Sequence, residues 1–153
     1  MIRSKTRAAQ ILLTLCAFEF FGPALRDAGP SHAMNPTWVG HARFHMVWFI
    51  CLMVVSGLLN LYLVWGRKPA SLRDLALSAA WQGTTLLGFW LACVLTPFYG
   101  GLVFDESIHV RVLGVDENVL VFMVLSCVWC AAVAMLVLER VGSAPRVALR
   151  SAP

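Results

Sequence analysis

Charged side chains are scarce in this sequence. Asp, Glu, Lys and Arg make up 13% of its 153 residues, whereas 59% of the residues are hydrophobic. An ordinary soluble domain carries about 25% charged residues. This deficit excludes such a domain and predicts one polytopic membrane domain. The net charge of +4 does not indicate nucleic-acid binding, because the basic residues cluster beside apolar segments, where they set orientation and contact membrane lipid.

Cysteine is missing from every predicted loop. This absence excludes a loop disulfide framework and argues against a Cu(I) site built on thiolates at the predicted outer face. A clean signal-peptide cleavage pattern is also missing after the first apolar run, which Glu19 interrupts, so we expect a retained helix there. The five cysteines are predicted to be packing residues within helices: Cys16, Cys51, Cys93, Cys127 and Cys130.

Long apolar runs predict an all-α fold, a four-transmembrane-helix bundle with short loops. We expect a single domain over residues 1–140, with helices at about 8–25, 36–65, 75–96 and 117–138. Residues 141–153 are expected to form a flexible, basic cytoplasmic tail. In the longest loop, the alternating residues 109–112 predict a short strand or hairpin arm.

The distribution of Lys and Arg predicts the orientation of the bundle. Nine of the 12 basic residues lie in the N-terminus, the second loop and the tail, and the other three are Arg26, Arg43 and Arg111. The excess of positive charge marks the cytoplasmic side, so we expect both termini to lie in the cytoplasm and the protein to reside in the inner membrane. All four histidines then face outward.

The histidine-rich stretch from Asp27 to Trp48 is the main candidate site. Asn35 followed by Pro36 predicts a helix start. Asn caps the free N–H groups of the first turn, and the N–H that Pro lacks would have no partner at the first helical position. Four residues of this predicted helix then share one face, within an arc of roughly 80°: Trp38, His41, His45 and Trp48. Two imidazoles one turn apart predict a shared ion or polar ligand, and the alternative is a helix crossing the headgroup region.

A divalent metal would suit this stretch. The predicted ligands are the imidazoles of His41, His45 and His32 and the carboxylates of Glu19 and Asp27. Histidine and carboxylate ligands favour Zn²⁺ or Fe²⁺, with copper as a further alternative. The loop residues among them have an equally ordinary interpretation as solvated side chains.

Glu19 is the most unusual residue of the predicted spans. A carboxyl group at its depth must be neutral, paired or facing a wet cavity, and its ordinary alternative is a structural hydrogen bond to another helix. We expect it to meet the layer of His41 and His45, giving a catalytic set of these three residues with Arg43 as a substrate clamp. Arg43 has the alternative role of reaching to the interface.

Three resemblances to known families extend these predictions. The stretch HxxNPxWxxHARFH, residues 32–45, is similar to one in uncharacterised small multi-helix membrane proteins of bacteria and fungi, which implies no established activity or cofactor. The pair Cys127 and Cys130 in the fourth helix resembles the redox pair of the vitamin K epoxide reductase family, although this chain has no loop cysteine pair. The bundle also has a loose likeness to the sterol-isomerase-like group, without a matching motif.

Together these features predict a small membrane protein with an outer-leaflet pocket of histidines and carboxylates. The leading hypothesis is a membrane-embedded enzyme, with or without a metal, that acts on a lipid, quinone or isoprenoid-like substrate. The alternative is a non-enzymatic accessory subunit, or a metal-binding or transport component of a larger complex. Deeper polar residues, which we expect to hydrogen-bond between helices, are Asn60, Gln82, Thr84 and Thr85.

Overall fold

The computed structural model describes residues 4–106 and 109–143. The regular secondary structure of this part consists of helices and one small antiparallel hairpin. Its elements are α1 (Ser4–Cys16), α2 (Phe18–Asp27), α3 (Gly40–Trp65), α4 (Leu72–Tyr99), β1 (Arg111–Val112), β2 (Val115–Asp116) and α5 (Glu117–Ser143). Most of the predicted tail lies outside the described residues, and α5 continues to Ser143.

The described residues contain four helical segments long and apolar enough to cross a membrane, counting α1 and α2 as one segment. This confirms the predicted all-α fold with four long apolar helices. Consecutive segments run antiparallel, so each end of the bundle gathers different chain segments. At one end of the bundle, α2 and α4 finish and α3 and α5 start, and we call this the polar end. The opposite end, where α1 and α4 begin, is the basic end.

The first predicted helix is divided by a turn at Ala17. The Phe20 N–H donates to the Ala17 carbonyl at 3.0 Å, a bond one residue tighter than in an α-helix. Pro23 lies inside α2 and has no N–H for the Glu19 carbonyl. The divided helix places Glu19 on a short second segment, α2, just after the turn.

The third helix begins four residues later than the sequence predicts. Asn35 caps a local turn, because its side-chain oxygen accepts from the Thr37 N–H at 2.9 Å and from the Thr37 hydroxyl at 2.7 Å. Val39 is extended, and α3 begins at Gly40. Trp38 therefore lies before the helix, and its ring contacts His32 edge-on at 5.8 Å between centroids.

Helix α4 continues past the predicted stop at Pro97 and ends at Tyr99. Pro97 cannot donate to the Cys93 carbonyl, which instead accepts from the Thr96 hydroxyl at 3.0 Å. Gly100 then ends the helix in the left-handed conformation with φ of 68°. The predicted hairpin arm follows and is confirmed: Arg111 pairs with Asp116, and Val112 pairs with Val115.

Buried amides connect the helices in the basic half of the bundle. Gln10 of α1 donates to the Val64 carbonyl of α3 at 2.8 Å, and Gln82 of α4 donates to the Leu13 carbonyl of α1 at 3.0 Å. The Ser78 hydroxyl of α4 donates to the Asn60 side chain of α3 at 2.7 Å. The predicted interhelical roles of Asn60 and Gln82 are confirmed. The predicted interhelical roles of Thr84 and Thr85 are wrong, because both hydroxyls donate to the Trp81 carbonyl of their own helix.

Helix α5 is held against α4 by an indole. The Trp129 N–H donates to the Ala79 carbonyl at 2.7 Å, and its ring lies over Gly83. A Cβ at Gly83 would lie 2.7 Å from the Trp129 ring, too close for any real contact. This glycine is therefore required for the approach of the two helices.

We expect Gly83→Ala to destabilise the bundle by about 1–3 kcal/mol, because the added methyl group must displace Trp129 or separate α4 from α5. Gly88→Ala, on the same helix, meets nothing within 4 Å and is the matched control. The measurement is thermal unfolding of both variants in detergent. Equal midpoints for the two variants would contradict the proposed packing.

Candidate functional site at the polar end

A cavity of about 900 Å³ occupies the polar half of the bundle. Helices α2, α3, α4 and α5 all contribute to its wall. From α2 it takes a single stripe with spacings of one and three residues: Phe18, Glu19, Gly22, Pro23, Arg26 and Asp27. The volume lies within the usual range for small-molecule sites, roughly 300–1,000 Å³.

The deeper wall of the cavity is apolar and aromatic. Its large side chains come from all four helices: Phe18, Phe49, Leu52, Trp81, Phe89 and Phe122. Phe89 and Phe122 stack with 3.8 Å between centroids and an interplanar angle of 9°. Gly88 leaves open space beside them, since a Cβ there would meet nothing within 4 Å. This region suits a hydrocarbon or ring system.

Glu19 is the polar exception in the deeper part. It is 1% exposed, and neither of its carboxyl oxygens has a hydrogen-bond partner among the described residues. It lies seven residues before Arg26 on the same stripe, about 10 Å deeper along the helix. A buried carboxyl group without a partner costs several kcal/mol of folding free energy. Glu19 borders the cavity, but its oxygens are covered in this structure, so a bound molecule would supply the missing hydrogen bonds after a small movement of the covering side chains.

An ion pair and an imidazole–carboxylate contact lie at the polar end of the cavity. Arg26 of α2 lies 3.0 Å from the Glu117 carboxylate at the start of α5. Asp27 lies 3.6 Å from His32 Nδ1 in the following loop. These four side chains line the cavity together with His109 and Asn118. Charges of both signs are thus concentrated where the apolar helices end.

The hairpin brings His109 into this cluster. Its Nδ1 accepts from the Asp105 backbone N–H at 3.2 Å and lies 3.4 Å from an Asp116 carboxylate oxygen. Its Nε2 lies 3.2 Å from the Asn118 side-chain amide. The other Asp116 oxygen accepts from the Asn118 and Val119 N–H groups at 2.9 and 3.1 Å and so caps α5. The ring is therefore positioned by contacts at both nitrogens.

The structure separates the predicted site residues into two groups. Glu19, Asp27 and His32 line the cavity, whereas His41, His45 and Arg43 are exposed and do not line it. His41 and His45 do share a helix face, with their Nε2 atoms 3.0 Å apart and one N–H donating to the other nitrogen. The His45 ring lies 5.9 Å from that of Trp48. Glu19 and this histidine pair are consequently not parts of one pocket wall.

No group of three or more His, Cys, Asp or Glu side chains within residues 4–106 and 109–143 has the arrangement of a metal site. The five predicted ligands are thus not gathered into one coordination sphere. All five cysteines are free thiols, and of the pair at 127 and 130 neither lines the cavity.

Sequence reasoning did not assign Arg26, Glu117 and Asn118 to the site. In the sequence analysis, Arg26 contributes only to the predicted orientation. The available signal was their position at the ends of the first and fourth predicted spans, which an antiparallel bundle brings to one end. Comparisons of the chain with protein-family models, curated proteins and solved structures gave no match.

Proposed function

We propose that this chain is an integral membrane protein that binds a lipophilic molecule with one polar group in the cavity at its polar end. The class is that of a lipid, quinone or isoprenoid-like compound. The observation that carries the proposal is Glu19, a carboxyl group without a partner on the wall of an otherwise apolar cavity. In this proposal the ligand's polar group accepts or donates a hydrogen bond at Glu19.

The distribution of wall residues supports an amphiphilic ligand. The aromatic region around Trp81 and Phe89 suits a ring or hydrocarbon, and the charged cluster around Arg26 and His109 suits a polar head. A molecule of this kind partitions into the bilayer and reaches the cavity from there, so the chain needs no large soluble domain. The excess of basic residues at the opposite end supports an orientation with both termini in the cytoplasm and the cavity in the outer leaflet of the inner membrane.

As an enzyme, the protein would use Glu19 as an acid or base toward the ligand's polar group. His109 and Asp27 lie at the charged end of the same cavity and would orient the polar head. The proposed chemistry makes no use of a bound metal.

We expect ubiquinone-1, farnesol or both to raise the midpoint of thermal unfolding of the purified protein, since a ligand that binds only the folded state stabilises it. Gly88→Leu should abolish this shift by filling the cavity. Gly142→Leu is the matched control, because it also replaces a helical glycine in open space but lies outside the cavity. The proposal fails if neither probe binds the wild type. It also fails if Gly88→Leu and Gly142→Leu bind the probes equally well.

Substitutions of Glu19 separate binding from stability. Glu19→Leu should weaken probe binding about five- to tenfold through the loss of one hydrogen bond, yet stabilise the protein by removing an unpartnered polar group. Glu19→Gln should retain most of the binding. Gln10→Leu, which removes a bonded buried amide outside the cavity, should lower stability and leave binding unchanged. Native mass spectrometry and thermal unfolding measure the two effects, and lower stability in Glu19→Leu would indicate a structural carboxyl instead.

A second candidate function is that of a metal-binding accessory subunit, favoured by the exposed pair His41 and His45. Two imidazole ligands from one chain bind Zn²⁺ or Cu²⁺ incompletely, so the remaining ligands would come from a partner protein. Metal content of the membrane-extracted protein is the test, with His41→Ala/His45→Ala beside the wild type. Stoichiometric metal lost in the double variant would favour this candidate, and equal metal content in both would exclude it.

A further inference from the structure

A second concave surface lies at the basic end, between α4 and α5. It is a groove of about 700 Å³ that shares no lining residue with the first cavity. Helix α4 contributes Leu72, Arg73, Ala76, Leu77, Ala79 and Ala80, and helix α5 contributes Val133, Leu136, Val137 and Arg140. The α5 set has spacings of three, one and three residues and is one helical stripe, and the α4 stripe is wider because Leu72 and Ala79 flank it. Trp129 also lines the groove, 11 residues and about 16 Å from Arg140.

Each stripe has an arginine at its end, and both arginines lie at the basic end of the bundle. Arg73 is in the first turn of α4, and Arg140 is near the end of α5. Both side chains are exposed, and neither has an ion-pair or hydrogen-bond partner among residues 4–106 and 109–143. The nearby acids do not neutralise them, because Asp74 pairs with Arg67 at 3.1 Å and Glu139 is buried and has a partner of its own.

We infer that this groove binds an anionic phospholipid, with the phosphate held between Arg73 and Arg140 and an acyl chain along the groove toward Trp129. The charge of the arginines complements a phosphate, and guanidinium groups bind phosphate through paired hydrogen bonds. The remaining wall is apolar, and Ala76 and Ala80 leave room between the helices. Basic pockets at helix ends on the cytoplasmic side are where anionic headgroups bind.

This inference relies on the membrane insertion in the proposed function but not on the first cavity. Gly88→Leu should therefore leave phospholipid binding unchanged, and ubiquinone-1 and farnesol should not compete with it. A failure of either proposal is thus distinguishable from a failure of the other.

The test is a titration of the delipidated, detergent-purified full chain with dioleoyl phosphatidylglycerol and dioleoyl phosphatidylcholine, followed by native mass spectrometry. We expect the wild type to bind phosphatidylglycerol about tenfold more tightly, a preference equal to about 1.4 kcal/mol. Arg73→Gln/Arg140→Gln should abolish that preference. Arg73→Lys/Arg140→Lys, which keeps the charges but not the paired hydrogen bonds, should retain part of it.

Two matched controls distinguish a groove from diffuse surface charge. Lys5→Gln/Lys68→Gln removes two positive charges from the same end outside the groove and should preserve the preference. Ala80→Leu fills the groove and should weaken binding, whereas Ala131→Leu, outside it, should not. Equal losses in the arginine and lysine variants would overturn the inference. So would unchanged binding in Ala80→Leu, no lipid preference in the wild type, or a dimer through this face that phosphatidylglycerol does not dissociate.

Discussion

The high cost of burying polar groups without hydrogen bonds organises this bundle. Its helices offer apolar side chains on nearly all faces, and within such surroundings an unpaired amide or hydroxyl is expensive. The side-chain amides of Gln10 and Gln82 lower this cost by donating to carbonyls of neighbouring helices, and the Asn60 oxygen accepts from Ser78. These bonds all lie in the half of the bundle near the basic end. They join α1, α3 and α4 into a closed triangle that limits how far the helices can slide.

In the polar half of the bundle, Glu19 departs furthest from this pattern, because both of its carboxyl oxygens lack a partner, whereas Gln10 and Gln82 lack one only at the amide oxygen. Here α2 follows the turn at Ala17, and the four surrounding helices leave a cavity instead of close packing. Substitutions that fill a cavity of this kind commonly stabilise a protein. The combination of an open space and an unpartnered carboxyl group is therefore a cost in stability, and binding of a ligand is the physical reason that we propose for it.

The two ends of the bundle differ in how their charges are used. At the polar end, acids and bases are paired across the cavity, as in Arg26 with Glu117 and Asp27 with His32. At the basic end, Arg73 and Arg140 have no such partners in the described chain. Balanced charge suits a polar neutral head, whereas unbalanced positive charge suits an anion. The two inferred ligands accordingly differ in charge and in position.

Much of the architecture was predictable from the sequence, because helix count and chain order follow from run length and from local residues. The four apolar segments, the hairpin after Gly100–Gly101 and the i, i+4 spacing of His41 and His45 required no knowledge of the fold. Two helix ends were misplaced, since Asn35 caps a turn instead of α3 and the Thr96 hydroxyl compensates for Pro97.

Only the tertiary structure decided which faces point inward. In helices that are apolar all round, hydrophobic periodicity does not set the rotation about the helix axis. The rotation of α2 and α3 placed Glu19 on the cavity wall and His41 and His45 outside it.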